Sequence, residues 1–192
     1  MRLVRVVAAL GAALVLSFSM AAGATSTPLA SHLLTKSQMP AHFVLEHLTV
    51  SDTATCPESS FQLRSPVTSV RVAFADATVT HTLVVEKLYT SNKPVVALVK
   101  AVNSVTRCQS SSGSLSGYSV SQSIQPVKIG TVGAPVRAFS VLVNAGPDVV
   151  DGYLAFATRG TTVISIGEAS ASALSVRGFR RLVVKALARI PR

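Results

Sequence analysis

The chain has 192 residues and carries 18 Lys and Arg against 8 Asp and Glu, a formal charge of +10 at neutral pH. Only 14% of its residues are charged and 48% are apolar, a balance that excludes a solvated, disordered tail. Its length suits one domain with a sizeable core, and its many Val and Thr favour strands.

The chain opens with the pattern of a secretory leader. Arg2 and Arg5 form a cationic start, Val6 to Leu16 is an apolar run, and Ala22-Gly23-Ala24 has the small-x-small form of a cleavage site. The run is shorter than the roughly 20 residues a spanning helix needs. Cleavage after Ala24 is therefore expected, leaving residues 25–192 as a soluble, still basic, mature chain. With no cysteine at that junction, lipid anchoring is not expected. No later segment is apolar and long enough to span a bilayer.

Residues 25–30 read as a linker, and Ser31 to Gln38 as a turn or two of helix stopped before Pro40. Ala41 to Val50 is an extended segment, and Ser51 to Pro66 a loop containing Cys56. Val67–Ala75 and Val79–Tyr89 alternate with period two, so they are expected to form an antiparallel hairpin turning at Asp76-Ala77, one face better buried than the other.

Lys93 to Arg107 has helical periodicity. Ser91 or Asn92 is the expected cap, Pro94 suits the first turn, and Val95, Leu98, Val99, Val102 and Val105 form the expected buried stripe. So many valines give weak intrinsic propensity, which leaves packing to hold the helix. Cys108 follows directly. An even cysteine count in an exported chain makes a Cys56–Cys108 disulfide the expectation. It would close a loop of about fifty residues, with about 4 kcal/mol as the upper bound from chain entropy.

Residues 109–123 are serine-rich and read as a flexible surface loop. Strands are then expected at 127–129, 136–144, 153–158 and 161–167, with Arg159-Gly160 as a hairpin turn. The closing helix, about 171 to 190, buries Phe179, Leu182, Val183, Ala186, Leu187 and Ile190. The resulting class is α+β: a twisted antiparallel β-sheet packed by an internal and a C-terminal helix.

Catalytic signatures are absent: no nucleophile elbow, zinc helix, phosphate loop or dinucleotide fingerprint. No cofactor or catalytic residue is assigned. His42, Glu46 and His47 are the densest cluster of metal-type residues, but on a strand His47 faces away from the other two, so no metal site is assigned. Arg71, His81 and Glu86 lie within the expected hairpin. They either line a cleft between sheet and helices or occupy a solvated face.

The strongest charged feature is the C-terminal helix, where Arg177, Arg181, Lys185 and Arg189 recur every fourth residue without an acid. They are candidate contacts for anionic cell-wall polymer or lipid headgroups, or the ordinary polar face of an amphipathic helix. Export and the lack of aromatics among the basic residues exclude nucleic acid as the expected partner.

Leu33-Leu34 leads to Gln38-Met39-Pro40 with Phe43 soon after, followed by Cys56, Val72-Ala73-Phe74 and the helix ending at Cys108. Arg159-Gly160 then precedes Thr161-Thr162-Val163 and the terminal helix. In these motifs the chain resembles the PknH-like extracellular sensor domain of actinobacteria. The resemblance covers about residues 30 to 190 and implies one sensor-type domain over 25–192, with a cleft for an unidentified ligand. Two features depart from it. Members often carry a second disulfide, which this chain cannot form, and Val132-Gly133-Ala134-Pro135 stands where many have Gly-Asp. The function expected is non-enzymatic binding or sensing at the cell envelope of a small molecule, lipid or wall component. The alternatives are adhesion through the basic helix and, third, a hydrolase whose site is assembled from distant residues.

Overall fold

The structure is a computed structural model that describes residues 28–46, residues 69–107 apart from 77, 79 and 80, and residues 110–191 apart from 116, 117 and 146. The expected leader and cleavage site, the segment 51–66 expected as a loop, and both Cys56 and Cys108 lie outside the described residues.

Two short 3-10 turns, Pro28–His32 and Lys36–Gln38, precede the sheet. They replace the single helical segment expected over 31–38. The strands are β1 Phe43–Leu45, β2 Ser69–Asp76, β3 Leu83–Thr90, β4 Ser110–Leu115, β5 Tyr118–Val127, β6 Val136–Ala145, β7 Asp148–Arg159 and β8 Thr162–Ser170. Helix α1 is Pro94–Thr106 and helix α2 is Val176–Ala188. All pairings are antiparallel, in the order β1-β2-β3-β8-β7-β6-β5-β4, so the sheet has two open edges. After β3 the chain crosses one face of the sheet through α1. It then returns strand by strand from the far edge until β8 docks beside β3. The class is α+β, as expected.

Alternation assigns the two faces. Leu83 and Val85 pack with Leu98, Ala101 and Val105 of α1, together with Phe139 and Phe156, whose rings meet edge to face at 6.5 Å. Val84 and Leu88 pack with Phe179, Val183, Ala186 and Leu187 of α2. With a helix on each face, β3 is buried along its whole length except Thr90. The expectation of one better-buried face is thus corrected: a central strand covered on both sides has no solvated face.

Three local expectations also change. The serine-rich segment 109–123, expected as a flexible loop, contains β4 and most of β5. Ser110 pairs Ser123, and Val120 to Val127 pair Ala145 to Ala138. Serine and glycine carry little strand preference, and this one is set by backbone pairing to β6. The hairpin at Arg159 turns through Gly160 and Thr161, because Arg159 pairs Thr162 and the positive φ of 56° falls on Gly160. Finally, α1 is rotated from its expected orientation. It buries Ala97, Leu98, Ala101, Ser104 and Val105, and leaves Val95 64%, Val96 49% and Val99 50% exposed. Its first residue follows Lys93, whose N–H bonds Ser91 Oγ at 3.1 Å, and no side chain caps the helix itself.

Helix α2 matches its expected stripe. Ser175 caps it by accepting the Gly178 N–H at 3.0 Å, and Arg159 Nη1 donates to the Leu187 carbonyl at 2.6 Å near its other end. Phe179 stacks on Tyr153 at 5.3 Å.

Candidate functional site

Among the described residues, β1 pairs Phe74 to Asp76 of β2 and the Glu46 N–H donates to the Ala73 carbonyl at 2.9 Å, while β2 begins five residues before Phe74. Residues 71–73 of β2, which have no strand partner on that side among the described residues, form one wall of a cleft of about 660 Å³. Leu33 and Leu34 of the N-terminal turns face Arg71 and Val72 of β2, Glu46 lies at the end of β1, and Arg189 follows α2. A volume of this order suits a small ligand.

The N-terminal turns are fixed to the sheet and to α2 by polar contacts. Lys36 Nζ donates to the carbonyls of Ala41, at 2.7 Å, and Phe43. Lys185 Nζ donates to the Gln38 carbonyl at 3.1 Å, and Arg189 Nη2 to the Ser31 carbonyl at 2.5 Å. The Leu34 N–H reaches inward to Glu86 Oε2 at 2.6 Å. The pair Leu33-Leu34 that opens the sequence resemblance thus serves as cleft wall and as a clamp on a buried acid.

Glu86 is fully buried behind that wall. Burial pushes its pKa up to about 7, against the opposing effects of the Leu34 N–H and the Arg189 charge. Its Oε1 and the Nε of Arg189 are both buried without a hydrogen-bond partner. An unmatched buried polar atom costs about 1–3 kcal/mol, so two beside one cleft mark a polar position that the apolar lining does not explain. On the same face, burial also pushes Glu168 up to about 7.

The opposite face holds a second polar group. Lys87 stands across from Arg71 on β2 and from Ser165 on β8. Burial, with the Arg71 charge, pushes its ammonium down to about 8. Ser165 Oγ and Tyr89 Oη are buried without partners, and burial pushes the Tyr89 phenol up. A serine beside a lysine of lowered pKa is a nucleophile–base pairing in type. Here Ser165 is 1% and Lys87 9% exposed, which denies a substrate access.

The residues singled out in the sequence separate. Arg71 lines the cleft, Glu86 lies behind it, and His81, at φ 46°, sits in the β2–β3 connection. His42 Nε2 lies 3.6 Å from the buried Asp76 Oδ2, while His47 is outside the described residues. Among the described residues no three His, Cys, Asp or Glu gather as a metal site would require. Of the four basic residues on the C-terminal helix, Lys185 and Arg189 bond the N-terminal turns, whereas Arg177 and Arg181 are exposed. The burial of Glu86 and Lys87 was missed. The signal was present in Val84-Val85-Glu86-Lys87-Leu88-Tyr89, where both alternating faces are mostly apolar around the two charges.

No protein-family model and no curated protein matches the sequence. Among solved structures, the extracellular domain of PknH from Mycobacterium tuberculosis is similar with a TM-score of 0.57 at 9% identity, covering 81% of this chain and 92% of that one. A second, a putative uncharacterized protein from Mycobacterium smegmatis, has a TM-score of 0.47 at 11% identity, covering 80% and 92%. At such identities the likeness to the PknH domain establishes a shared fold, in line with the resemblance read from the sequence. Among the described residues no helix is long and apolar enough to cross a membrane.

Proposed function

We propose that this chain is a secreted, non-enzymatic ligand-binding or sensor-type domain of the cell envelope, and that the cleft beside β2 is its ligand site. The observation that carries this reading is the pairing of an aliphatic cleft with Arg189 at its wall and unmatched Glu86 and Arg189 atoms behind it. Apolar lining with a few convergent polar groups is the ordinary character of a small-molecule site. Arg189 and Glu46 line the cleft with charges of opposite sign, so the lining favours a ligand with a strongly hydrogen-bonding head and an apolar body, as in lipids and some wall components. The leader pattern and the fold shared with an extracellular domain support the location. Burial of the Ser165–Lys87 pair supports binding over hydrolysis.

The test is native mass spectrometry of the purified protein after incubation with fractionated envelope extract. A retained small molecule or lipid is expected, and Arg71→Gln together with Leu33→Asp should remove it. Retention unchanged by those substitutions would move the site elsewhere. Failure to retain any fraction would overturn the binding reading.

A further inference from the structure

Helix α1 presents an outward face that its own fold does not use. Val95, Val96 and Val99 are 64%, 49% and 50% exposed, the largest exposures of bulky apolar side chains on either helix. Valine is a poor helix former, so solvent-facing positions gain nothing from it in an isolated domain. Val96, Lys100 and Arg107 fall along one exposed stripe, Lys100 one turn and Arg107 three turns beyond the valine, and the exposed Lys93 stands at the start of the helix. A cation at that end opposes the helix dipole, and the first turn holds no acid to offset it. The arrangement is therefore unfavourable to the helix by itself in both propensity and charge.

We infer that this face of α1 docks on an anionic lipid surface, with the three valines entering the headgroup–acyl boundary and Lys93, Lys100 and Arg107 held at the phosphates. Charge complementarity sets the sign of the partner. The patch sets its class: three aliphatic side chains without an aromatic anchor fall far short of the roughly 800 Å² per partner of a stable protein interface. A cationic stripe beside a shallow aliphatic face is what interfacial helices offer a bilayer. The surface lies on the opposite side of the sheet from α2. It is thus distinct from the basic helix considered for adhesion and from the cleft.

The chain contains no tryptophan, so Val99→Trp supplies a single reporter. The protein is prepared from Thr25, so that the apolar leader cannot itself insert, and mixed with vesicles of equal phosphatidylglycerol and phosphatidylcholine. The V99W emission should shift to the blue and be quenched by brominated acyl chains, while a V184W reporter on α2 should show neither. Replacing the three valines by Ser should weaken partitioning by about tenfold or more. Replacing the three cations by Gln should weaken it by about fivefold for each and remove most of its salt dependence. No vesicle binding, equal binding to pure phosphatidylcholine, or binding with V99W unshifted overturns the inference. A blue-shifted V99W in buffer alone also overturns it. Concentration dependence would then assign the face to a second copy, and its absence to another segment of this chain.

Discussion

Glu86→Gln separates the charge of this side chain from its hydrogen bond. The amide retains an oxygen for the Leu34 N–H, which Glu86 now accepts at 2.6 Å, but the fully buried position no longer ionises. In the folded chain Glu86 titrates at about 7, and once unfolded it returns to 4.5. A carboxyl whose pKa is raised by folding keeps its proton longer in the native state than in the unfolded one. Its penalty is therefore absent below about 4.5, grows as pH climbs towards about 7, and is constant above that. Over the whole window the native state loses up to about 3 kcal/mol through this one group. Glu168 acts in the same direction over the same window. Urea unfolding, extrapolated to water at a series of pH values, measures the profile. Glu86→Gln should roughly match the parent at the acid end, decline less on the way up, and be the more stable protein above about 7, while Glu86→Gln with Glu168→Gln should be nearly flat. If the parent and Glu86→Gln declined in parallel, Glu86 would not be the buried, proton-holding group described.

Other substitutions probe other parts of the fold. Lys87 is depressed to about 8 from 10.5 when folded, so native stability should rise as pH passes from about 8 towards 10.5. Lys87→Met should abolish that rise and stabilise the protein at neutral pH, as read by the same urea series. The orientation of α1 is tested by a contrast in thermal unfolding. Leu98→Ala, at a buried position, should cost about 2–5 kcal/mol. Val99→Ala, half exposed, should change stability by less than about 0.7 kcal/mol and in the favourable direction. Ser175→Ala removes the cap of α2 and should cost about 1 kcal/mol by denaturant unfolding.

What could be read from the sequence depended on whether a segment's own pattern decided its environment. Along α2, apolar side chains fall on one face, so the covalent order of residues already says which side is buried. The terminal helix stripe follows from such a pattern; for β2 and β3 the period of two gave the strands and the α+β class, but not that helices cover both faces of β3. The Leu33-to-Pro40 segment carried a resemblance, but its role as wall and clamp required Glu86, far along the chain, to arrive beneath it.

Tertiary structure decided the rest. Valines lie around much of α1, so periodicity alone favoured the side with most of them; the sheet instead selected Ala97, Ala101 and Ser104, whose small size lets the helix sit close. The serine-rich segment became strand because β6 offered it a backbone partner, which no local propensity records. Glu86 and Lys87 became buried ionisable groups only when β8 docked beside β3 and helices covered both faces. The sequence by itself determined the elements with one-sided patterns, because amphipathic periodicity is a local property. Burial of charge, the cleft beside β2 and the outward valines of α1 were decided by tertiary structure, because each depends on which distant segment covers which face.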